Sequence, residues 1–167
     1  MDNISFDEIY TILKSCFEPI LYRKYEKQKE LLKNCKYNIM TYKKDNKIVG
    51  FLSYWKIDEN NFFVEHFAVD KNYQGQGIGK SLFSDFLKLK GDKCLEVEPP
   101  HTDIDKKRIK LYESFGFIFH EELYYQPPYN KGDNKTRLHI MSTKKLNDND
   151  FNDLVKKIYT TVYNFKY

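Results

Sequence analysis

Tyr73-Gln74-Gly75-Gln76-Gly77-Ile78-Gly79-Lys80-Ser81, written YQGQGIGKS, places three glycines at alternate positions ahead of a Lys-Ser pair. The preceding stretch, FFVEHFAVD over residues 62–70, is apolar on both faces and reads as a central strand. The following one, GKSLFSDFLKLK, carries Leu82, Phe83, Phe86, Leu87 and Leu89 at helical spacing until Gly91 stops it. A strand, a glycine loop and a helix therefore stand in a row. Successive N–H groups at a helix N-terminus lack intrahelical acceptors and attract an anion. Glycines let that anion approach the backbone closely.

Two familiar phosphate loops do not fit. A Walker-type loop needs Gly, four residues, then Gly-Lys-Ser. Counting back from Gly79-Lys80-Ser81, its first glycine belongs at position 74, which is Gln74. The dinucleotide fingerprint G-x-G-x-x-G is met by Gly75 and Gly77, but its third glycine falls on Lys80.

Working outward, Ser5-Phe6-Asp7-Glu8 has the form of a capping box. Ile9, Ile12, Leu13, Cys16 and Phe17 follow at helical spacing. A second, charged helix is predicted from Tyr22 to about Asn34. YNIMTYKK and KIVGFLSYWKI, around a turn at Asp45-Asn46, read as a hairpin. Beyond the glycine loop and its helix, KCLEVEP reads as a strand and Asp103–Phe115 as a helix. FIFHEELYY (117–125) and TRLHIMSTKKL read as strands around the loop QPPYNKGDNK. Asn147 to Asp150 caps a last helix, predicted over about 148–166, with an apolar stripe of Phe151, Leu154, Val155, Ile158, Val162 and Phe165. The order α-α-β-β-β-α-β-α-β-β-α predicts one mixed α/β (α+β) domain over residues 1–167. Its sheet is mostly antiparallel, with one parallel pair made by the crossover between residues 70 and 93.

A third loop pattern does fit: Gln/Arg-x-x-Gly-x-Gly/Ala, here Gln74-Gly75-Gln76-Gly77-Ile78-Gly79. With it, the chain resembles the GCN5-related N-acetyltransferase (GNAT) superfamily. A second block, Leu111-Tyr112-Glu113-Ser114-Phe115-Gly116-Phe117, is similar to that family's Leu-Tyr-x-x-x-Gly-Phe segment. The resemblance covers roughly residues 37–125. It implies a sheet whose parallel strand pair is splayed, helices on both faces, and acetyl-CoA as cosubstrate with no metal. It implies cofactor contacts from Phe67, Ala68 and Val69, from Gln74, Gly75, Gln76, Gly77, Ile78, Gly79, Lys80 and Ser81, and from Tyr112. The chain departs from the family after the fifth strand, where many members carry an asparagine. Here the segment is Pro99-Pro100-His101-Thr102-Asp103, with Thr102 or Asp103 as replacements.

The implied activity is acetyl transfer to a primary amine by direct attack in a ternary complex. An amine of the lysine type has a reference pKa of about 10.4 and must lose a proton to attack. The thioester oxygen needs a fixed donor, which the resemblance puts on the backbone of Phe67-Ala68-Val69. The departing thiolate benefits from a general acid, and Tyr112 matches the family tyrosine. For the base, histone-type members carry a glutamate where this chain has Phe63. Glu65, on the same strand face by parity, and Glu96, in a Leu95-Glu96-Val97 that resembles the Leu-Glu-Val of ribosomal-protein acetyltransferases, stand as alternatives. Glu98 and then His66 follow. His66 is expected to point away from Glu65.

The acceptor is expected to be cationic, a small polyamine-like or aminoglycoside-like amine or a protein or peptide amine, drawn by Glu65, Glu96, Glu98 and Asp103. Glu98, Tyr125 and Tyr129 are candidate acceptor contacts. A non-catalytic acyl-CoA-binding sensor or partner module is the alternative, distinguished by the absence of turnover. The net charge of +4, from 28 basic and 24 acidic residues, is a mild excess with scattered lysines and argues against nucleic acid. Three cysteines without a CxxC fit a reducing compartment and no zinc site. With no signal peptide and no apolar run near the roughly 20 residues of a membrane span, the expectation is a cytoplasmic protein without membrane contact, monomeric or homodimeric. Aromatics are frequent at 17%, with 14 tyrosines.

Overall fold

The computed structural model of the protein describes residues 5–165. The first helix, α1 (Phe6–Cys16), buries Ile9, Ile12 and Leu13 as their spacing predicts. Ser5 is its N-cap, but the side chain makes no capping bond, so the expected box does not form. The predicted second helix is shorter: α2 spans Tyr25–Glu30, and a 3-10 turn covers Leu31–Lys33. The helix starts late because Tyr22 is extended and buried, and Arg23 follows it into the interior.

Two strands, β1 (Tyr37–Lys44) and β2 (Lys47–Lys56), flank Asp45 and Asn46. Both turn residues have positive φ, 51° and 63°. That is the mirror-image two-residue turn whose twist matches an antiparallel hairpin. Next come β3 (Asn61–Val69), α3 (Ile78–Leu87) and β4 (Asp92–Val97). The crossover through α3 makes β3 and β4 parallel, from Asn61 opposite Asp92 to Val64 opposite Leu95. Helix α4 (Asp103–Ser114) is followed by the short strands β5 (Ile118–Phe119) and β6 (Tyr124–Gln126), then β7 (Thr136–Ser142) and α5 (Asp148–Thr161). The sheet order is β1-β2-β3-β4-β7-β5, with β6 also paired to β7, and the sheet is mostly antiparallel.

Two predicted elements differ. Residues 117–125 are not one strand. Phe119 lies opposite Met141 and Tyr124 opposite Leu138, so five steps on one strand face three on the other. The surplus falls in His120–Leu123, where Glu121 and Glu122 interrupt the apolar run. The last helix ends at Thr161 rather than near 166. Asn164 adopts a left-handed conformation (φ 49°), and the Phe165 N–H closes back on the Tyr159 carbonyl at 2.9 Å. That six-residue closure terminates a helix by satisfying a carbonyl the helix leaves open. Residue 166 lies outside the described residues.

Backbone contacts divide the chain into two compact units. One holds the residues through Tyr54 together with Glu65–Lys90; the other holds Trp55–Val64 and the residues from Gly91 onward. In the first, the α1 stripe meets Tyr22, Ile48, Phe51 and Ala68, and Ile78 and Leu82 of α3 meet Val49. A Cβ on Gly50 would come within 3.1 Å of Ile78 and 3.2 Å of Leu82, so glycine lets α3 close on β2. In the second unit, Leu95 and Val97 of β4, Ile140 and Met141 of β7, and Phe151 and Ile158 of α5 are buried. Each such side chain contributes about 1.5–3 kcal/mol. No helix among the described residues is long and apolar enough to cross a membrane.

Candidate active site

The glycine loop belongs to the first unit. Asp70 caps the turn after β3, its carboxylate accepting from the Asn72 N–H at 2.9 Å. Gly75 and Gly77 then take left-handed φ values of 78° and 79°. A Cβ added at either would meet nothing within 4 Å, so both face open space. Gly77 is the N-cap of α3, and the Ser81 N–H bonds the Gly77 carbonyl at 3.0 Å. The N–H groups of Ile78, Gly79 and Lys80 precede that bond and have no acceptor within the helix. The Ile78 side chain is core, so this residue can offer a ligand only its backbone. Phe67 and Val69 also lean on that cluster, while Ala68 is buried in its neighbour.

Gln74 turns back to the strand end, donating from Nε2 to the Val69 carbonyl at 3.1 Å. Lys80 and Ser81 are exposed. The loop also gains a cation that the sequence does not single out: Lys44, at the end of β1, donates to Gln76 Oε1 at 2.8 Å and lies 5.7 Å from the Tyr73 ring. A backbone cradle with open approach and a nearby ammonium fits a phosphate-bearing cosubstrate.

Glu65 lies in the same unit but is locked. Its side chain is fully buried, and Arg23 Nη1 donates to Oε1 at 2.7 Å. Oε2 makes no hydrogen bond and sits 3.7 Å from His66 Nδ1. Strand alternation sends Glu65 and His66 to opposite faces; the carboxylate, shut off from water, nonetheless folds back toward the ring. His66 Nε2 lies 2.8 Å from the Leu21 carbonyl, which places the ring proton on that nitrogen. Burial holds His66 below its usual pKa, and the charge on Glu65 opposes this. Gln28 accepts from the Arg23 N–H at 3.3 Å and reaches Tyr37 at 3.2 Å, tying the segment after α1 to this group.

The second unit gathers groups around Glu96. On β4, Leu95 and Val97 point into the core and Glu96 to the other face, where it is half-buried. β6 brings Tyr124 and Gln126 to it on alternate residues. The Tyr124 hydroxyl donates to Oε1, and Gln126 Nε2 donates to Oε2 at 2.7 Å. Tyr163, just past α5, sets its hydroxyl 2.9 Å from both carboxylate oxygens. The Tyr129 ring packs at a tilt against that of Tyr163, centroids 5.1 Å apart, with its hydroxyl 3.3 Å from that of Tyr163. Burial, and then the Glu96 charge, push the Tyr124 and Tyr163 phenols well above their usual range, so both remain proton donors. Tyr125 faces away from Tyr124 and Gln126 and is half-exposed; its carbonyl accepts from the Tyr159 hydroxyl.

Glu98 pairs with Arg108 of α4. Tyr112, on the same helix, is buried, and burial pushes its phenol up to about 12; the Arg108 charge opposes this and Glu98 adds to it. Tyr112 is therefore protonated at neutral pH. Thr102 is committed to capping α4: its hydroxyl accepts from the Asp105 N–H at 3.1 Å and donates to Asp105 Oδ2 at 2.7 Å. Glu65 and Glu98 each face an arginine, which leaves little of their charge to attract a cation. Among the described residues no group of three or more His, Cys, Asp or Glu could hold a metal ion.

Sequence reasoning missed Arg23, Lys44, Gln126 and Tyr163. For Tyr163 there was a signal: Tyr159 and Tyr163 are four residues apart, a helical spacing beside the apolar stripe.

The spermine/spermidine N(1)-acetyltransferase of Bacillus subtilis (strain 168) is 31% identical over 85 residues, 46% of this chain and 56% of that protein. The chain thus spans 56% of the length of the curated relatives it matches. A solved GNAT-family acetyltransferase from Bacteroides thetaiotaomicron is 30% identical, with a TM-score of 0.87 over 96% of this chain and 93% of that one. The ribosomal-protein-S18-alanine N-acetyltransferase from Escherichia coli shares the fold at 20% identity, with a TM-score of 0.63 over 89% of this chain and 94% of that one. The model of the acetyltransferase (GNAT) family matches residues 6–117, and the chain belongs to that family.

Proposed function

We propose that this chain, acting as one catalytic domain, acetylates a primary amine of a small cationic molecule or of a protein or peptide. Acetyl-CoA supplies the acetyl group as a thioester. The observation that carries this reading is the glycine loop, with left-handed Gly75 and Gly77 open to solvent ahead of α3. Its free N–H groups bind the pyrophosphate, and Lys44 adds a positive charge. The backbone of Phe67–Val69 supplies the donor for the thioester oxygen, as the family resemblance implies. Glu96 accepts the proton that the amine loses, and Tyr112 holds the proton that the departing thiolate needs. Glu65, saturated on one oxygen by Arg23, serves structure. Direct attack by the amine agrees with the state of the buried thiol: burial, and secondarily Glu96, push Cys94 far above its usual range, so it offers no thiolate nucleophile. A polyamine is the first acceptor to try, because the curated relatives are named for spermine and spermidine.

Thermal unfolding with acetyl-CoA, and with ATP as control, tests the reading. At about 100 times Kd a ligand of the folded state adds roughly 2.7 kcal/mol, a rise of about 5–10 °C for a chain of this size. A rise with ATP and none with acetyl-CoA would overturn it. A rise with acetyl-CoA but no thiol release with any amine would favour the non-catalytic binding module.

Gly77→Ala is expected to weaken acetyl-CoA binding about tenfold in calorimetry, since a methyl enters the anion's approach. It also costs about 1–2 kcal/mol of stability, because alanine is strained at φ 79°. Unchanged affinity would mean that the anion does not use this loop.

A further inference from the structure

We propose that Tyr163 is a positioning residue for the reaction: its hydroxyl, itself backed by Tyr129, keeps Glu96 ionised and fixed in aim. The inference rests on the reading of Glu96 as the base. It follows from counting hydrogens. Tyr163 has one O–H, and its oxygen lies 2.9 Å from each oxygen of Glu96. The same oxygen receives Gln126 Nε2 at 3.0 Å and lies 3.3 Å from the Tyr129 hydroxyl. The carboxylate oxygens, at 2.9 Å, are nearer acceptors for the single proton of Tyr163 than the Tyr129 hydroxyl at 3.3 Å. Tyr124 and the other N–H of Gln126 also donate to Glu96. Three side chains therefore aim hydrogens at one carboxylate, an arrangement that favours the deprotonated form of Glu96, which can only accept. A base must be in that state when the amine arrives.

The titratable groups around Glu96 are Tyr124 on β6, Tyr129 on the following loop, Tyr159 on α5, Tyr163 after it, and Cys94 on the same strand. Burial raises the Tyr124 and Tyr163 phenols and the Cys94 thiol, so these three are neutral at physiological pH. Of the hydrogen-bond donors to Glu96 named above, Tyr163 touches both oxygens.

The test titrates the Glu96 side-chain carboxyl by carbon-13 NMR in the whole chain, with its resonance identified by loss in Glu96→Gln. In Tyr163→Phe the midpoint is expected at higher pH than in the wild type, because a donor to the charged form is gone. Tyr129→Phe, which removes only the backing hydroxyl, is expected to move it the same way by less. An unmoved midpoint in Tyr163→Phe overturns the proposal, and so does a larger movement in Tyr129→Phe. With spermine and acetyl-CoA, Tyr163→Phe should lower kcat about tenfold, the size of one hydrogen bond to a charged group. The acid limb of its pH profile should move upward, with KM little changed. A wild type that never turns over an amine would defeat the reading of the base, while the titration would still decide whether Tyr163 governs Glu96.

Discussion

Replacing Glu96 by glutamine is expected to lower kcat/KM for the acceptor by about 10²–10⁴-fold, the usual worth of a positioned base, with acetyl-CoA affinity within about twofold of the wild type. Glutamine keeps the size and can still accept from Tyr124 and Tyr163, but it cannot take a proton. It also sets an amide N–H₂ against Gln126 Nε2, which donates to Glu96 Oε2 at 2.7 Å. Part of the loss will therefore be misplacement, and calorimetric titration with acetyl-CoA checks whether binding survives the change. Glu65→Gln is the control. Its carboxylate is fully buried and bonded to Arg23, so the first effect expected is on stability rather than turnover. If Glu65→Gln loses turnover at wild-type stability while Glu96→Gln keeps it, the two roles are exchanged.

Removing the guanidinium beside Glu65 is expected to be strongly destabilising, about 3–5 kcal/mol for Arg23→Met. The side chains of Arg23 and Glu65 are 10% and 0% exposed, so neither charge has water in reserve. Without Arg23, Glu65 keeps no nearby cation among the groups described above: His66, at 3.7 Å, is held below its usual pKa by burial, and Tyr37, which also feels the Glu65 charge, is a neutral phenol. The paired variant Arg23→Met with Glu65→Leu should recover most of the loss, since replacing both members of a buried ion pair with apolar groups is often close to neutral. Urea unfolding of the two singles and the double closes the cycle. A single Arg23→Met that costs no more than a surface pair, about 0–1 kcal/mol, would mean that the carboxylate finds water or another donor.

Local chemistry wrote much of the fold into the sequence. Asp45-Asn46 between two apolar runs specifies a two-residue turn, because those side chains tolerate positive φ. The run of strand, glycines and amphipathic helix specifies a parallel crossover, because the chain must return along the other side of its own helix. Where the reading erred, backbone pairing decided the outcome. Nothing in FIFHEELYY announces that β7 will pair with its two ends in registers offset by two residues. The site was legible to the same degree. Glycines, Tyr112 and the carboxylates stand in short motifs, so they could be named. Their partners could not, because those come from far away: Arg23 is 42 residues from Glu65, and Tyr163 is 67 from Glu96. Even so, the partners separate the carboxylates, since a guanidinium fixes Glu65 and phenols surround Glu96.

The distance from Glu96 to Tyr163 also has a consequence in time. A ribosome adding roughly 5–20 residues per second needs about 3–13 s to make the 67 residues between them. Every residue of the unit that carries the glycine loop has been made by Lys90. The nascent chain thus holds every residue of the glycine loop well before it holds Tyr163, the last of the donors to Glu96. On the proposed reading of Glu96, the set of its donors is complete only once Tyr163 has been made and has reached β4.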